Sequence, residues 1–219
     1  MVSREHRCIF IHIPKTAGTS IEHKLNHFDT VRRGVQDHRS IREIEPWNPK
    51  HARLWRTETS ILVAKRLRNT IRGEGPVSDQ IYDSYFKFAF VRSPWARVYS
   101  WYKNVMRDEV HRRYLCIPDR CSFQSFLTNY PDQWALRSQF YWIRNISGEI
   151  PLSFIGQFKS LRADFEKVCV QLGIEDSSLP QLISGDDGPK YYEVYDDITK
   201  DIVYNRYRDE IEYFGFSFR

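Results

Sequence analysis

The chain has 219 residues, 41% hydrophobic and 15% aromatic, with 33 Lys and Arg against 28 Asp and Glu, a formal charge of +5. That length supports one domain with a substantial core, here 1–219, and the composition argues against disorder. The modest basic excess favours an anionic ligand without choosing among nucleotides, sulfated glycans and nucleic acid.

Residues 7–13, RCIFIHI, form a short apolar run rich in β-branched and aromatic residues and predict a buried strand ended by Pro14. Gly18-Thr19-Ser20 then leads into Ile21-Glu22-His23-Lys24-Leu25, a helical segment for which Thr19 or Ser20 serves as N-cap. Residues 59–72 predict a helix with Ile61, Ala64, Leu67, Arg68 and Ile71 along one stripe, broken by Gly73-Glu74-Gly75-Pro76. FKFAFV at 86–91 is a second strand. Ser93 as N-cap and Pro94 at the first helical position open another helix through Trp95, Val98, Tyr99, Tyr102 and Val105. SFIGQF at 153–158 is a third strand, and 161–172 a helix stopped by Gly173. Residues 197–213 predict a helix or a pair of helices, closed by Phe214-Gly215-Phe216. Apolar strands alternating with amphipathic helices predict an α/β fold with a mainly parallel central sheet, and ligands in such sheets bind at the carboxyl ends of the strands.

No stretch approaches the roughly 20 apolar residues that span a bilayer. Met1–Arg7 is polar and leads directly into Cys8, which leaves no room for a signal peptide, so a cytoplasmic location without a membrane span is expected. Cys8, Cys116, Cys121 and Cys169 form no CxxC pair, so no metal is expected. Cys8 and Cys169 read as core residues. Cys116 and Cys121 flank a loop that a disulfide would bridge, but free thiols are expected in a reducing compartment.

Two strand-to-helix junctions carry chemistry. At Pro14-Lys15-Thr16-Ala17-Gly18-Thr19-Ser20, a helix N-terminus offers free N–H groups and its positive dipole end. Gly18 allows close backbone approach, Thr19 and Ser20 add hydroxyls, and Lys15 adds a charge, a set that suits a phosphate or sulfate. The same turn also occurs where nothing binds. Lys15 precedes the glycine, the reverse of the GxxxxGK[ST] order of ATPases and GTPases. At the second junction Arg92 ends a strand, with Arg97 five residues on and Ser100 two turns into the helix. Arg92 and Ser100 suit a second phosphate, and Arg92 equally suits a helix cap or an ion pair.

Together these segments resemble the PAPS-dependent sulfotransferases of the sulfotransferase family 2 group, which includes carbohydrate sulfotransferases and the heparan sulfate 2-O-sulfotransferase. IPKTAGTS at 13–20 is similar to that group's 5′-phosphosulfate loop and FKFAFVRSPWARVYSWY at 86–102 to its 3′-phosphate strand and helix. SFIGQFKSLRADFEKVCVQLGI at 153–174 and YYEVYDDITKDIVYNRYRDEIEYFGFSF at 191–218 are similar to its later segments. The chain departs from the pattern at Ser93, usually Asn, at Lys159, usually an acid, and at Gln157, often Arg.

The resemblance implies a P-loop-like three-layer fold and transfer of a sulfuryl group from PAPS to a hydroxyl acceptor, a carbohydrate by the company it keeps, with PAP as product and no metal. Lys15 would stabilise the leaving 5′-phosphate. Thr16, Ala17, Gly18, Thr19 and Ser20 would hold the 5′-phosphosulfate, and Arg92 and Ser100 the 3′-phosphate. Among seven histidines, His12, His23 and His27 read as packing or surface residues, His6 lies in a terminal tail and His111 in a polar stretch. His38, in Gln36-Asp37-His38-Arg39, occupies the place where related sulfotransferases carry a catalytic His before a helix, and an ordinary pKa near 6.5 suits it as base. His51 and Glu43 are the alternatives. A kinase or nucleotidase would need Mg²⁺ ligands that the strand ends do not supply. Lys65, Arg66, Arg68 and Arg72 match no nucleic-acid motif, so no nucleic-acid partner is expected, and they read as a solvated face or one that steers an anionic glycan.

Overall fold

The computed structural model describes residues 1–28, 34–47, 57–180 and 189–219. The three apolar runs are strands: β2 (Cys8–Ile11), β3 (Phe86–Val91) and β4 (Phe154–Gln157), and a two-residue β1 (Val2–Ser3) precedes them. The sheet order is β1-β2-β3-β4, with β2, β3 and β4 parallel and β1 antiparallel to β2. Cys8 pairs with Phe86 and Ile11 with Ala89, and across β3 Phe88 pairs with Phe154 and Val91 with Gln157.

Parallel strands read as continuous apolar runs because both of their faces are covered. On one face Cys8, Phe10, Phe88 and Phe90 pack with Ile21 of α1 (Gly18–Lys24) and with Phe165, Val168 and Cys169 of α9 (Leu161–Leu172). Phe10 and Phe88 stack with ring centroids 5.0 Å apart. On the other, Ile9, Ile11, Ala89 and Val91 pack with Ile41 and Ile44 of α2 (Ile41–Ile44) and with Phe140, Trp142 and Ile143 of α8 (Gln139–Ile143). The result is a three-layer α/β fold, as the strand and helix pattern predicts. Truncating one such buried Phe to Ala would cost about 3–5 kcal/mol.

A second core lies beyond the strand ends. There α5 (Pro94–Arg107) contributes Trp95, Val98 and Trp101, α7 (Phe123–Asn129) contributes Phe126, and α11 (Asp197–Phe214) contributes Val203 and Tyr207. α11 is one helix with a break at Tyr207 (φ −120°, ψ 23°), whose hydroxyl donates to the Leu136 carbonyl at 2.6 Å. α9 ends at Gly173 in the left-handed conformation, φ 68°, as its glycine predicts.

Several elements differ from the sequence expectation. α1 begins at Gly18 with Ala17 as its N-cap, not Thr19 or Ser20, because the chain turns left-handed at Ala17, φ 68°. Ser93 does precede α5, but its hydroxyl makes no capping bond. α3 (Thr57–Ile71) faces the other way from its apolar stripe: Ile61, Leu67 and Ile71 are 58, 61 and 80% exposed, while Arg66 and Asn69 are 3 and 4% exposed. The short helices α4 (Asp79–Ser84), α6 (Glu109–Tyr114), α7 and α8, each opened by a capping Ser78, Asp108, Ser122 or Ser138, were too brief to show a period, as was α10 (Tyr191–Val194). Cys8, Cys116, Cys121 and Cys169 are all free, Cys116 exposed and the others buried.

Candidate active site

The loop from Pro14 to Ser20 leaves the carboxyl end of β2 and enters α1. Lys15 and Ala17 both adopt left-handed backbone, φ 69° and 68°, a conformation that costs an L-residue about 1–2 kcal/mol. Thr16 is wholly buried between them and its hydroxyl donates to the Ile13 carbonyl at 2.8 Å, so its side chain fixes the loop. Gly18 is required by its own protein: a Cβ there would lie 1.9 Å from Cδ2 of His12. The close approach expected of this glycine is therefore to the His12 ring beneath it. Thr19 and Ser20 are half-buried in the first turn of α1, whose N–H groups have no intrahelical acceptor.

The second junction grips the first. Arg92 Nη1 donates to the Lys15 carbonyl at 3.0 Å, and Arg97 Nε donates to the Pro14 carbonyl at 3.2 Å. Arg97 is wholly buried and also donates to the Ala135 and Arg137 carbonyls at 2.6 and 2.7 Å, which makes it a bolt between the loop and the segment before α8. Arg97, Ser100, Asn104 and Arg107 follow at helical spacing along one side of α5, and Lys15 Nζ donates to Asn104 Oδ1 at 3.3 Å. Half-buried Ser100 thus shares the side of α5 that meets the loop.

Arg92 lies with its guanidinium 4.0 Å from the Phe158 ring centroid, and its Nε is buried without a partner. Gln139 clasps the Arg92 backbone, accepting from its N–H at 2.9 Å and donating to its carbonyl at 3.0 Å, and is itself bound at 2.8 and 2.6 Å by buried Glu210. Burial, with Arg92 and Arg107 nearby, pushes the Lys15 pKa down to about 8; burial, opposed by Tyr191 and aided by Arg97, pushes Arg92 down to about 10. No carboxylate among the described residues pairs with Lys15 or Arg92. An anion at this point would relieve a half-buried cationic cluster.

His38 lies between the loop and α2. Its Nδ1 is 3.0 Å from the His12 carbonyl, its Nε2 2.8 Å from the Gln36 amide, and its ring centroid 4.1 Å from that of His12. His12 Nδ1 is 2.9 Å from Glu22 Oε1. Burial, then the neighbouring His12, pushes the His38 pKa down to about 3, so the ring is neutral at neutral pH. Asp37 does not orient this ring. It is wholly buried, which alone would raise its pKa, but the amino terminus, Arg39 and His27 hold it well below the ordinary range. His38 opens onto a cleft of about 340 Å³ lined by Trp134, Trp142 and Tyr141 and by Lys65, Arg68, Arg72 and Arg137. Glu43 lines the same cleft, engaged by Asn69 at 3.2 Å and Lys65 at 3.5 Å. His51 lies outside the described residues.

The chain matches the model of the family described as "Sulfotransferase family" over residues 1–217. It belongs to the sulfotransferase family. Neither the curated proteins nor the solved structures compared with the chain gave a match.

The structure of this sulfotransferase brings Lys15, Thr19, Arg92 and His38 to one end of the sheet through bonds that sequence does not display. The reading from sequence missed Asn104, Gln139, Glu210, Trp134 and Gln36, which position or flank those groups. Gln36 alone had a visible signal, its place two residues before His38. Lys159 is exposed beside Phe158, and the Gln157 backbone N–H donates to Asp164 Oδ2 at 2.9 Å. Among the described residues no group of three His, Cys, Asp or Glu side chains could hold a metal, and no helix is long and apolar enough to cross a membrane.

Proposed function

We propose that this sulfotransferase transfers the sulfuryl group of PAPS to a hydroxyl of a carbohydrate. The observation that carries the donor assignment is the half-buried, carboxylate-free cationic cluster of Lys15 and Arg92 at the junction of two strand ends, with the buried Arg92 Nε unpartnered. PAPS supplies the activated sulfuryl group. Lys15, with the N–H groups of Ala17, Gly18, Thr19 and Ser20, holds the 5′-phosphosulfate, and Lys15 meets the charge that gathers on the leaving phosphate oxygen. Arg92 and Ser100 hold the 3′-phosphate. His38, a neutral ring at the edge of the cleft, takes the proton of the acceptor hydroxyl once Nε2 is free of Gln36. Trp134 supplies an exposed aromatic surface for a sugar ring, and Lys65, Arg68, Arg72 and Arg137 suit acidic groups on a glycan.

PAP tests the donor site. At 100 times its Kd it should stabilise the protein by about 2.7 kcal/mol, and Arg92→Ala should weaken PAP more than adenosine-5′-phosphosulfate, which lacks the 3′-phosphate. Equal weakening of both ligands removes Arg92 from the 3′-phosphate. His38→Ala should lower turnover by about 10²- to 10⁴-fold with PAP affinity unchanged. A transfer assay with labelled PAPS, comparing acidic glycans, neutral glycans and small alcohols, reads the acceptor.

A further inference from the structure

His38 and the donor loop are joined through one side chain. The His12 carbonyl only accepts, so the proton on His38 lies on Nδ1, and the neutral ring presents a lone pair at Nε2. The Gln36 amide sits 2.8 Å from that lone pair and, with its other end, 2.5 Å from the Thr19 hydroxyl. An amide oxygen cannot bond a lone pair, so a half-turn of the amide satisfies both ends: its NH₂ donates to His38 Nε2 and its oxygen accepts from the Thr19 hydroxyl. The lone pair that a base must offer is thereby covered by Gln36, and Gln36 is anchored by a hydroxyl in the first turn of α1.

We infer that Gln36 is a positioning residue that latches His38 until the donor occupies the loop. A phosphate oxygen is a stronger acceptor than an amide oxygen, because charge-assisted hydrogen bonds are the stronger kind. A donor in the loop therefore draws the Thr19 hydroxyl to itself, and the amide loses its anchor at Thr19. The acceptor hydroxyl then displaces the amide from Nε2 more readily. Donor binding precedes exposure of the base, so the reactive nitrogen is withheld from the cleft while no sulfuryl group is present. This rests on the reading of Thr19 as part of the donor site and His38 as the base.

Diethyl pyrocarbonate acylates an unprotonated, accessible imidazole nitrogen, and mass spectrometry assigns the modified histidine. In the parent protein at neutral pH, saturating PAP should raise the labelling rate of His38 by about 2- to 10-fold, the range of one net hydrogen bond, relative to the other six histidines. Gln36→Ala should label at the fast rate without PAP and respond to PAP no further, and Thr19→Ala should do the same from the other end of the latch. PAP binding is measured in parallel by calorimetry. If PAP binds but His38 labelling is unchanged or slowed, or if Gln36→Ala labels at the parent rate, the latch is wrong while the donor site stands. If PAP does not bind, the donor reading fails and the latch with it. If the labelling pattern holds but His38→Ala keeps its turnover, Gln36 covers His38 as described and His38 is not the base, which overturns the latch as a device of catalysis.

Discussion

Lys15 and His38 show how far burial moves a residue from its ordinary chemistry. Burial and two neighbouring cations bring the Lys15 pKa down to about 8, so above that pH the free protein loses the charge that the loop offers. A bound anion raises that pKa, and binding above pH 8 must take up a proton. PAP affinity, measured by calorimetry, should be flat between about pH 7 and 8, above the phosphate pKa near 6, and fall by as much as tenfold per unit above pH 8, and Lys15→Met should bind more weakly and lose the alkaline fall. His38 shifts in the same direction, to about 3 from an ordinary 6.5. Its folded pKa is depressed, so between those values the unfolded chain binds more protons and stability falls as pH falls. Full stability is present above about pH 6.5. Urea unfolding at a series of pH values should show His38→Asn with a shallower loss than the parent between pH 6.5 and 4, by up to about 1.4 kcal/mol per pH unit. A parallel pair of curves would place His38 in water and not under the loop.

At the scale of elements, the junction of β2 and α1 depends on what lies below it. His12 is held by Glu22, by Phe10 at 5.9 Å and by His38, so it cannot yield to a side chain at Gly18. Gly18→Ala should destabilise the fold by about 1–3 kcal/mol or more through overpacking, read from a shifted urea midpoint, and PAP should rescue only part of it. A Gly18→Ala protein with parent stability would show that the His12 ring has another place to go. The same junction marks the limit of reading elements from pattern. The glycine was legible as a required glycine, but the reason was not, because His12 directly follows β2 and reaches Gly18 only once the strand and helix are stacked. α3 shows the reverse case. Its period was legible, but the stripe of Ile61, Leu67 and Ile71 faces outward, since Arg66 donates to the Arg42 carbonyl at 2.7 Å and Asn69 binds Glu43. Polar groups with partners already waiting decided which face went in.

Across the whole molecule, the proposed donor site is held from its far side by α11. Glu210 on that helix binds Gln139, Gln139 binds both backbone groups of Arg92, and Arg92 binds the Lys15 carbonyl. Glu210→Ala leaves two buried donors of Gln139 unpaired, each costing about 1–3 kcal/mol, and should loosen Arg92. The expected outcome is a protein of lower melting temperature that, while still folded, binds PAP several-fold more weakly and adenosine-5′-phosphosulfate almost as before. Full PAP affinity in Glu210→Ala would show that Arg92 keeps its place without Gln139.

The strands, the longer helices, the family and the two junctions were legible before any packing, because these are local: apolar runs, helical periods, glycines and a lysine or arginine at a strand end are written in adjacent residues. Tertiary structure alone decided what those junctions touch. Asn104 meets Lys15 across 89 positions, Gln139 meets Glu210 across 71, and Arg97 meets the Pro14 carbonyl across 83. Such partners carry no spacing signal, since a hydrogen bond between distant residues exists only after the layers pack. The protonation of the site was settled in the same way, because the pKa of Lys15 or His38 is set by the burial and charge that its packed neighbours impose.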